Sequence, residues 1–380
     1  MAVPPPKPLK LATSIQASFG DPEDPDYVFE IVSNGDKSTM AVSLSTNAIK
    51  LYSPQTGAFL GDCLGHTCTI SGISFPDPNS PMLLLSSSAD GTIRTWDIRN
   101  RKEVASLNHP TPGSEIWNFA VGGISNQVAG GGDSQVFIWD WRTRKLLANL
   151  DEIHTEAVTQ VQYHPTRREL LFTASVDGLI NFIDTQQPLT NEDLVYDTMS
   201  VGTSVGKIGF YGRNNQLLWC QTHIETLSVW DLEEKMQAAD FKETRMNASF
   251  NWNLDSVNYL IDCYSPAGTD DLWLAAGNNN GVVGYFPASF VKSSHPSVPS
   301  VGVLGEVGAV LEGGHQGVVR TIWLSQNMDS DQNLFGWTGG EDGRLCSWSQ
   351  NGATEHGRSW VSKNLIAKKG SSSKMRHSPY

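Results

Sequence analysis

Residues 86–97, Ser-Ser-Ser-Ala-Asp-Gly-Thr-Ile-Arg-Thr-Trp-Asp, leave this chain few folds to choose from. The apolar run from Met82 to Leu85 reads as a buried strand, Asp90-Gly91 is a strong hairpin turn, and Thr92 to Trp96 alternates like a second strand. His66 stands 30 residues before Trp96, and Asp90 stands 6 before Trp96 and 4 after Ser86. Worn copies of this unit recur, with third-strand positions at 52, 96, 139, 183, 230, 286 and 348, spaced 43 to 62 apart. Repeats of one hairpin-rich unit predict a single closed all-β domain, where 380 residues would otherwise suggest two or three.

The copies differ in what they keep. The third has His109, Asp133 and Trp139-Asp140, again at 30 and 6, with Ala129 at the Ser position. The fourth has His154, Thr173 and Asp177, with Ile183-Asp184 in place of Trp-Asp. The fifth retains Trp230-Asp231 but has Ile224 at the turn, and the sixth offers Asn280-Gly281 as its hairpin with Phe286 at the third-strand position. The seventh has His315, Thr338, Asp342-Gly343 and Trp348. The first, from Tyr27 to Cys63, has Leu51-Tyr52-Ser53 at the end of its third strand.

This His…Ser/Thr…Asp…Trp-Asp spacing resembles the WD-repeat family, whose fold is the β-propeller. The resemblance implies that each set forms one hydrogen-bonded chain. The predicted tetrads are His66, Ser86, Asp90 and Trp96; His109, Asp133 and Trp139; His154, Thr173 and Asp177; and His315, Thr338, Asp342 and Trp348. A buried carboxylate is tolerable only when its acceptor positions are filled, so these sets read as structural staples and not as catalytic triads. The expected fold is an all-β, seven-bladed propeller over residues 9–362. A lone strand between Leu9 and Phe19 is expected to complete the last blade and leave no sheet edge open. Residues 1–8 are proline-rich and 363–380 alternate Lys/Arg with Ser, and both read as disordered.

Composition excludes several classes. No run reaches the ~18 to 20 apolar residues of a membrane span, and the N-terminus has no apolar signal-peptide core. Five scattered cysteines, Cys63, Cys68, Cys220, Cys263 and Cys346, have no framework spacing and read as reduced thiols. The net charge of −13 is uneven: from Arg358 onward there are six Lys/Arg and no acid, so the rest of the chain carries −19. The body is expected to repel nucleic acid, and only the tail, with Lys368, Lys369, Lys374 and Arg376, to attract it.

Signals of chemistry are weak. Gly202-Thr-Ser-Val-Gly206 matches G-x-S-x-G, but a nucleophile elbow needs a helix next, and Lys207 to Tyr211 reads as a strand. Cys63, His66 and Cys68 lack a fourth zinc ligand. No cofactor is expected, and the chain is read as non-enzymatic. Two insertions, Lys242–Ser256 with Phe250 and Trp252, and Ala288–Leu304, are either binding loops or slack. The first is expected to display its two aromatics.

Partners are expected to be proteins. Trp96-Asp-Ile-Arg99 and Trp139-Asp-Trp-Arg142 resemble the docking box of propellers that serve as substrate receptors of cullin-RING ubiquitin ligases, implying contact with the ligase adaptor through Arg99 and Arg142. The alternative is that basic residues simply follow Trp-Asp. Longer features are similar to the WD-repeat-containing protein 89 family and its plant members: the blade from His154 to Phe182, residues 255–263, the blade from Leu311 to Trp348, and the basic tail. That similarity implies a non-enzymatic scaffold, with ties to growth control and ribosomal or ribosome-assembly partners; the chain is expected to be a monomer of nucleus and cytoplasm. The tail either holds RNA, acts as a nuclear signal, or only solvates.

Overall fold

Alternating apolar and polar residues bounded by Asp-Gly, Asn-Gly and Pro turns build antiparallel meanders, each a hairpin joined to a hairpin. The computed structural model describes residues 9–17, 25–76, 80–122, 126–151, 153–187, 195–252, 256–266, 268–291, 298–325 and 334–350. The second unit is typical: Ile70–Ser74, Leu83–Ser88, Thr92–Asp97 and Lys102–Asn108 pair in that order from inner to outer strand. Its second and third strands are almost wholly buried, and its outer strand is mostly exposed. Seven such units follow one another, and each of the seven anticipated third-strand positions lies in a third strand.

The last unit borrows its outer strand. Val319–Leu324, Leu334–Gly340 and Arg344–Ser349 are joined by Lys10–Gln16, which runs antiparallel to the third strand from Lys10↔Ser349 to Gln16↔Arg344. Beyond it, the Ala17 amide donates to Gly343 O at 2.8 Å, and Ala17 O accepts the Lys50 ammonium of the first unit at 2.6 Å.

The core is divided into seven clusters, each lying between neighbouring units. Ile49 and Leu51 of the first meet Ile73, Leu84 and Trp96 of the second; Ile261 and Tyr285 of the sixth meet Val319 and Trp348 of the seventh. The seam of seventh and first holds Trp337, Leu345, Val28, Met40 and Tyr52. Each fully buried Val, Leu, Ile or Phe contributes about 1.5–3 kcal/mol, so the seams hold neighbouring blades together.

The inner strands are linked by side chains that reach the next blade's backbone. Glu30 accepts the Ile73 amide (2.8 Å), the Ser71 hydroxyl donates to Ile116 O (2.6 Å), and Asn118 accepts the Val161 amide (3.0 Å). Gln160 accepts Ile208 N (2.6 Å), the Lys207 ammonium donates to Ile261 O (2.8 Å), and the Tyr259 hydroxyl accepts Val319 N (2.8 Å). Thr321 accepts Ile31 N (3.2 Å) and completes the circuit. Glu30, Gln160, Lys207 and Thr321 each stand just after a β-bulge, which turns them toward the neighbouring blade.

Both insertions fold differently from a loop. Thr244–Trp252 is a helix, α1. The Thr244 hydroxyl donates to Phe241 O and accepts the Leu227 amide, and buried Thr244, Ala248 and Trp252 recur every four residues to form one inward stripe. In the sixth blade the third strand continues to Phe290, past the expected exit at Ala288. Its outer strand is split: Ala309–Leu311 pairs with its first half and Ser300–Leu304 with its second. Ser300–Leu304 also pairs in parallel with Ala239 and Asp240 of the fifth blade, joining two blades at the rim.

Candidate protein-interaction faces

Two tetrads are complete. The Trp96 indole donates to Ser86 Oγ (2.8 Å), His66 Nε2 meets Ser86 Oγ at 2.7 Å, and His66 Nδ1 meets Asp90 Oδ2 at 2.9 Å. Asp90 also accepts the Thr67 and Thr92 amides and the Thr92 hydroxyl. In the seventh blade Trp348, Thr338, His315 and Asp342 repeat the chain at 2.8, 2.8 and 3.0 Å. The fourth has three members, His154 lying 2.8 Å from Thr173 and 3.0 Å from Asp177; Ile183 has no group to donate. With both ring nitrogens of His66 committed, Cys63, His66 and Cys68 do not form a metal site.

The third blade departs from the expected set. His109 Nδ1 accepts the Thr111 amide, and Asp133 instead accepts the indole of exposed Trp117 at 3.2 Å. The hairpin between strands two and three is one residue tighter: the Gly132 amide donates to Gln135 O at 2.9 Å, leaving Asp133 and Ser134 at the turn, where the second blade has three residues, Ala89 to Gly91. The pairing slips by one, so Gly130, not Ala129, stands where Ser86 stands, and its missing side chain is filled by the Trp139 ring.

The histidines differ in charge. Burial lowers the pKa of His66 and His154, and Asp90 and Asp177 only partly offset it. Burial opposes the charged form of His315 too, but its bonds with Asp342 and Cys346 prevail and raise its pKa to about 9. The Arg94 guanidinium, 3.6 Å from Asp90, competes with His66, whereas Arg344 is 4.0 Å from Asp342. Imidazole NMR titration should find His66 and His154 neutral at pH 7 and His315 protonated until about pH 9. Because the folded pKa of His315 exceeds its unfolded value near 6.5, its contribution to stability is complete below that pH and disappears as pH rises through about 9.

The tetrads end at one face, where outer strands cross to the next inner strand. On that face blades two to six each present an exposed apolar side chain: Leu64 (67% exposed), Trp117, Val176, Ile224 (65%) and, from α1, Met246 and Phe250 (85%). Carboxylates stand among them, including Asp133, Asp151, Glu156, Glu225, Glu243 and Glu312. Of the two aromatics expected on display, Phe250 is outside and Trp252 is 4% exposed, edge-on to Phe286. Helical spacing puts Trp252 on the stripe of Ala248 and leaves Phe250 opposite.

At the opposite end, Arg99 is largely exposed but already grips Asp97, with contacts of 2.6 to 3.2 Å from Nε and Nη2 of its guanidinium. Arg142 is exposed, and its amide, not its side chain, bonds Asp140. A device not foreseen from the sequence sits beside them, five residues after the third-strand anchor. Arg101 and Arg144 adopt left-handed backbone (φ 59° each) and donate to Leu60 O and Val104 O on the preceding blade's outer strand. Lys235 (φ 55°) reaches Asp197 likewise. Gly57, at the same position in the first blade, lies against Ile15 and Trp337.

Gly202 to Gly206 leads directly into the strand Val205–Tyr211. The Ser204 hydroxyl is 2.6 Å from Nδ1 of exposed His223, and among the described residues no carboxylate bonds that ring. Lys368, Lys369, Lys374 and Arg376, with the rest of the tail and residues 1–8, lie outside the described residues.

A family model described as WD domain, G-beta repeat matches residues 57–97, the stretch containing the first complete tetrad. Across 380 aligned residues the chain is 44% identical to WD repeat-containing protein GTS1 of Arabidopsis thaliana, covering 98% of this chain and 93% of that one. The chain belongs to the WD-repeat family. A WD repeat-containing protein 89 homolog of Dictyostelium discoideum is 27% identical over 88% of this chain and 85% of its own length. The ribosome biogenesis protein WDR12 homolog of Oryza sativa is 27% identical over 40% of this chain and 35% of its own. WD-repeat proteins are in general interaction scaffolds without catalysis, and in this one the tetrads stiffen the blades so that loop residues on the two faces are held in place.

Proposed function

We propose that this WD-repeat scaffold acts in ribosome assembly, in nucleus and cytoplasm, and thereby in growth control, by holding basic proteins on the face where the tetrads end. The observation that carries this reading is the run of exposed apolar side chains from five consecutive blades, set among carboxylates. Apolar side chains interspersed with carboxylates suit ribosomal proteins, whose basic segments supply the complementary charge. The rice relative that aligns over part of the chain is named for ribosome biogenesis, which agrees with the proposal.

The test is affinity purification with mass spectrometry on the intact chain and on Ile224→Asp with Phe250→Asp. Both side chains are exposed, so the blades should fold unchanged. Ribosomal and assembly proteins are expected with the unmodified chain and are expected to fall at least tenfold with the variant. Their absence from the unmodified chain, or equal recovery from both, would defeat the proposal.

A further inference from the structure

The end of the propeller opposite that face is electrically divided. Its hairpins on blades two, three and four carry Arg101 and Lys102, Arg144 and Lys145, and Arg167 and Arg168, all exposed. The acids of these blades are mostly engaged: Asp97 with Arg99, Glu103 with Arg94, and Asp140 and Asp184 with amides of their own turns. On blades five and six the matching hairpins carry exposed Glu233, Glu234, Asp270 and Asp271, and the exposed cations among them, Arg213 and Lys235, are paired with Asp270 and Asp197. In a chain of net charge −13, six exposed cations besides Arg99 and Arg142 are thus gathered on three adjacent blades.

Apolar side chains are interleaved with them. Arg101 donates to the carbonyl of Leu60, and Arg144 to that of Val104, so each cation is fixed beside an outer strand of the preceding blade. Leu60 and Val104 are themselves about half exposed, and Lys145 is followed by exposed Leu146 and Leu147. Around the rim the order is therefore apolar, basic, apolar, basic, apolar, basic. A carbonyl acceptor orients a guanidinium without cancelling its charge, so Arg101 and Arg144 remain available to an anion.

We infer that this rim of blades one to four binds an acidic protein segment whose carboxylates are spaced by apolar side chains. A nucleic acid fits less well. Its phosphates offer nothing to cover Leu60, Val104, Leu146 and Leu147, and a longer strand would run on to the carboxylates of blade five. The site goes beyond the ribosome-assembly reading, which concerns the other face, and it does not use Arg99 or Arg142.

The experiment is fluorescence anisotropy with the full chain and two labelled probes: a synthetic peptide alternating Asp or Glu with Leu or Phe, and a uridine oligonucleotide of equal charge. The peptide is expected to bind, and to weaken as salt rises, because the cations are exposed. Lys102→Glu with Lys145→Glu and Arg168→Glu should weaken it at least tenfold, and so should Val104→Asp with Leu147→Asp. Arg99→Ala with Arg142→Ala, and Ile224→Asp with Phe250→Asp, should leave it unchanged, which separates this site from adaptor docking and from the other face. Unchanged melting temperatures establish that the variants are folded. Failure of the peptide to bind, equal affinity after charge reversal, or an oligonucleotide bound as tightly and lost to the same reversal, would each overturn the inference.

Discussion

Removing residues 1–17 is expected to convert the protein into an aggregating or rapidly proteolysed chain. The deletion takes the whole outer strand of the seventh blade, with its ladder from Lys10↔Ser349 to Gln16↔Arg344. It uncovers the strand Arg344–Ser349, whose burial is otherwise nearly complete, and withdraws Leu9 and Leu11 from the cluster around Trp348. It also takes Ile15 from Gly57 and Trp337, and Ala17 O from Lys50, two contacts that join the seventh blade to the first. Each main-chain bond has a net worth of about 0.5–1.5 kcal/mol, and apolar exposure adds to that, so the loss rivals the 5–15 kcal/mol that a domain has in total. The uncovered edge is also a template for pairing with other chains. Limited proteolysis and thermal melting check this. A deletion variant as stable and soluble as the intact chain would mean that the seventh blade closes without this strand.

Asp90→Ala should destabilise by about 2–4 kcal/mol, the range for breaking a buried polar network. Four donors lose their acceptor: the His66 ring, the Thr67 and Thr92 amides, and the Thr92 hydroxyl. Burial raises the pKa of Asp90, yet these bonds prevail and hold it below the ordinary carboxylate range. That shift is itself stability, present above pH ~4 and lost as pH falls through the folded value. Asp133→Ala should cost under about 1 kcal/mol, since the only indole it frees belongs to Trp117, which water already reaches. Denaturant unfolding of the two variants decides the matter, and equal losses would count against the tetrad as a staple.

What could be read from the chain was what is local. Asp90-Gly91 and Asp342-Gly343 fix hairpins by turn chemistry, and the His, Ser or Thr, and Asp around them are close enough to be found by counting. Counting failed at Asp133 because the hairpin is one residue shorter, Gly130 lying nine residues before Trp139 where Ser86 lies ten before Trp96, while the spacing from Asp to Trp stayed the same. It failed at Trp252 because Asn247, Ser249 and Asn251 are poor helix formers, and the four-residue stripe of Thr244, Ala248 and Trp252 is set by the seam of the fifth and sixth blades. The latches of Arg101, Arg144 and Lys235 lie between repeats, where no motif is defined. The split outer strand of blade six depends on pairing between Ala239 and Ser300, far apart in sequence.

The circuit of bridges around the inner strands has a consequence for how such a chain can be rearranged. Its seven links use a carboxylate, two hydroxyls, two amides, an ammonium and a phenol, some giving to a carbonyl and others taking from an amide. Each inner strand is therefore keyed to one neighbour on either side. Cutting the ring at a loop and joining the old ends would preserve every key. Exchanging two blades would set Glu30 or Lys207 against a backbone group not placed to receive it, leaving a polar group at that seam without its partner. Blades that look alike as hairpins are not interchangeable parts, and the order of the repeats is written where they meet, not in the repeats themselves.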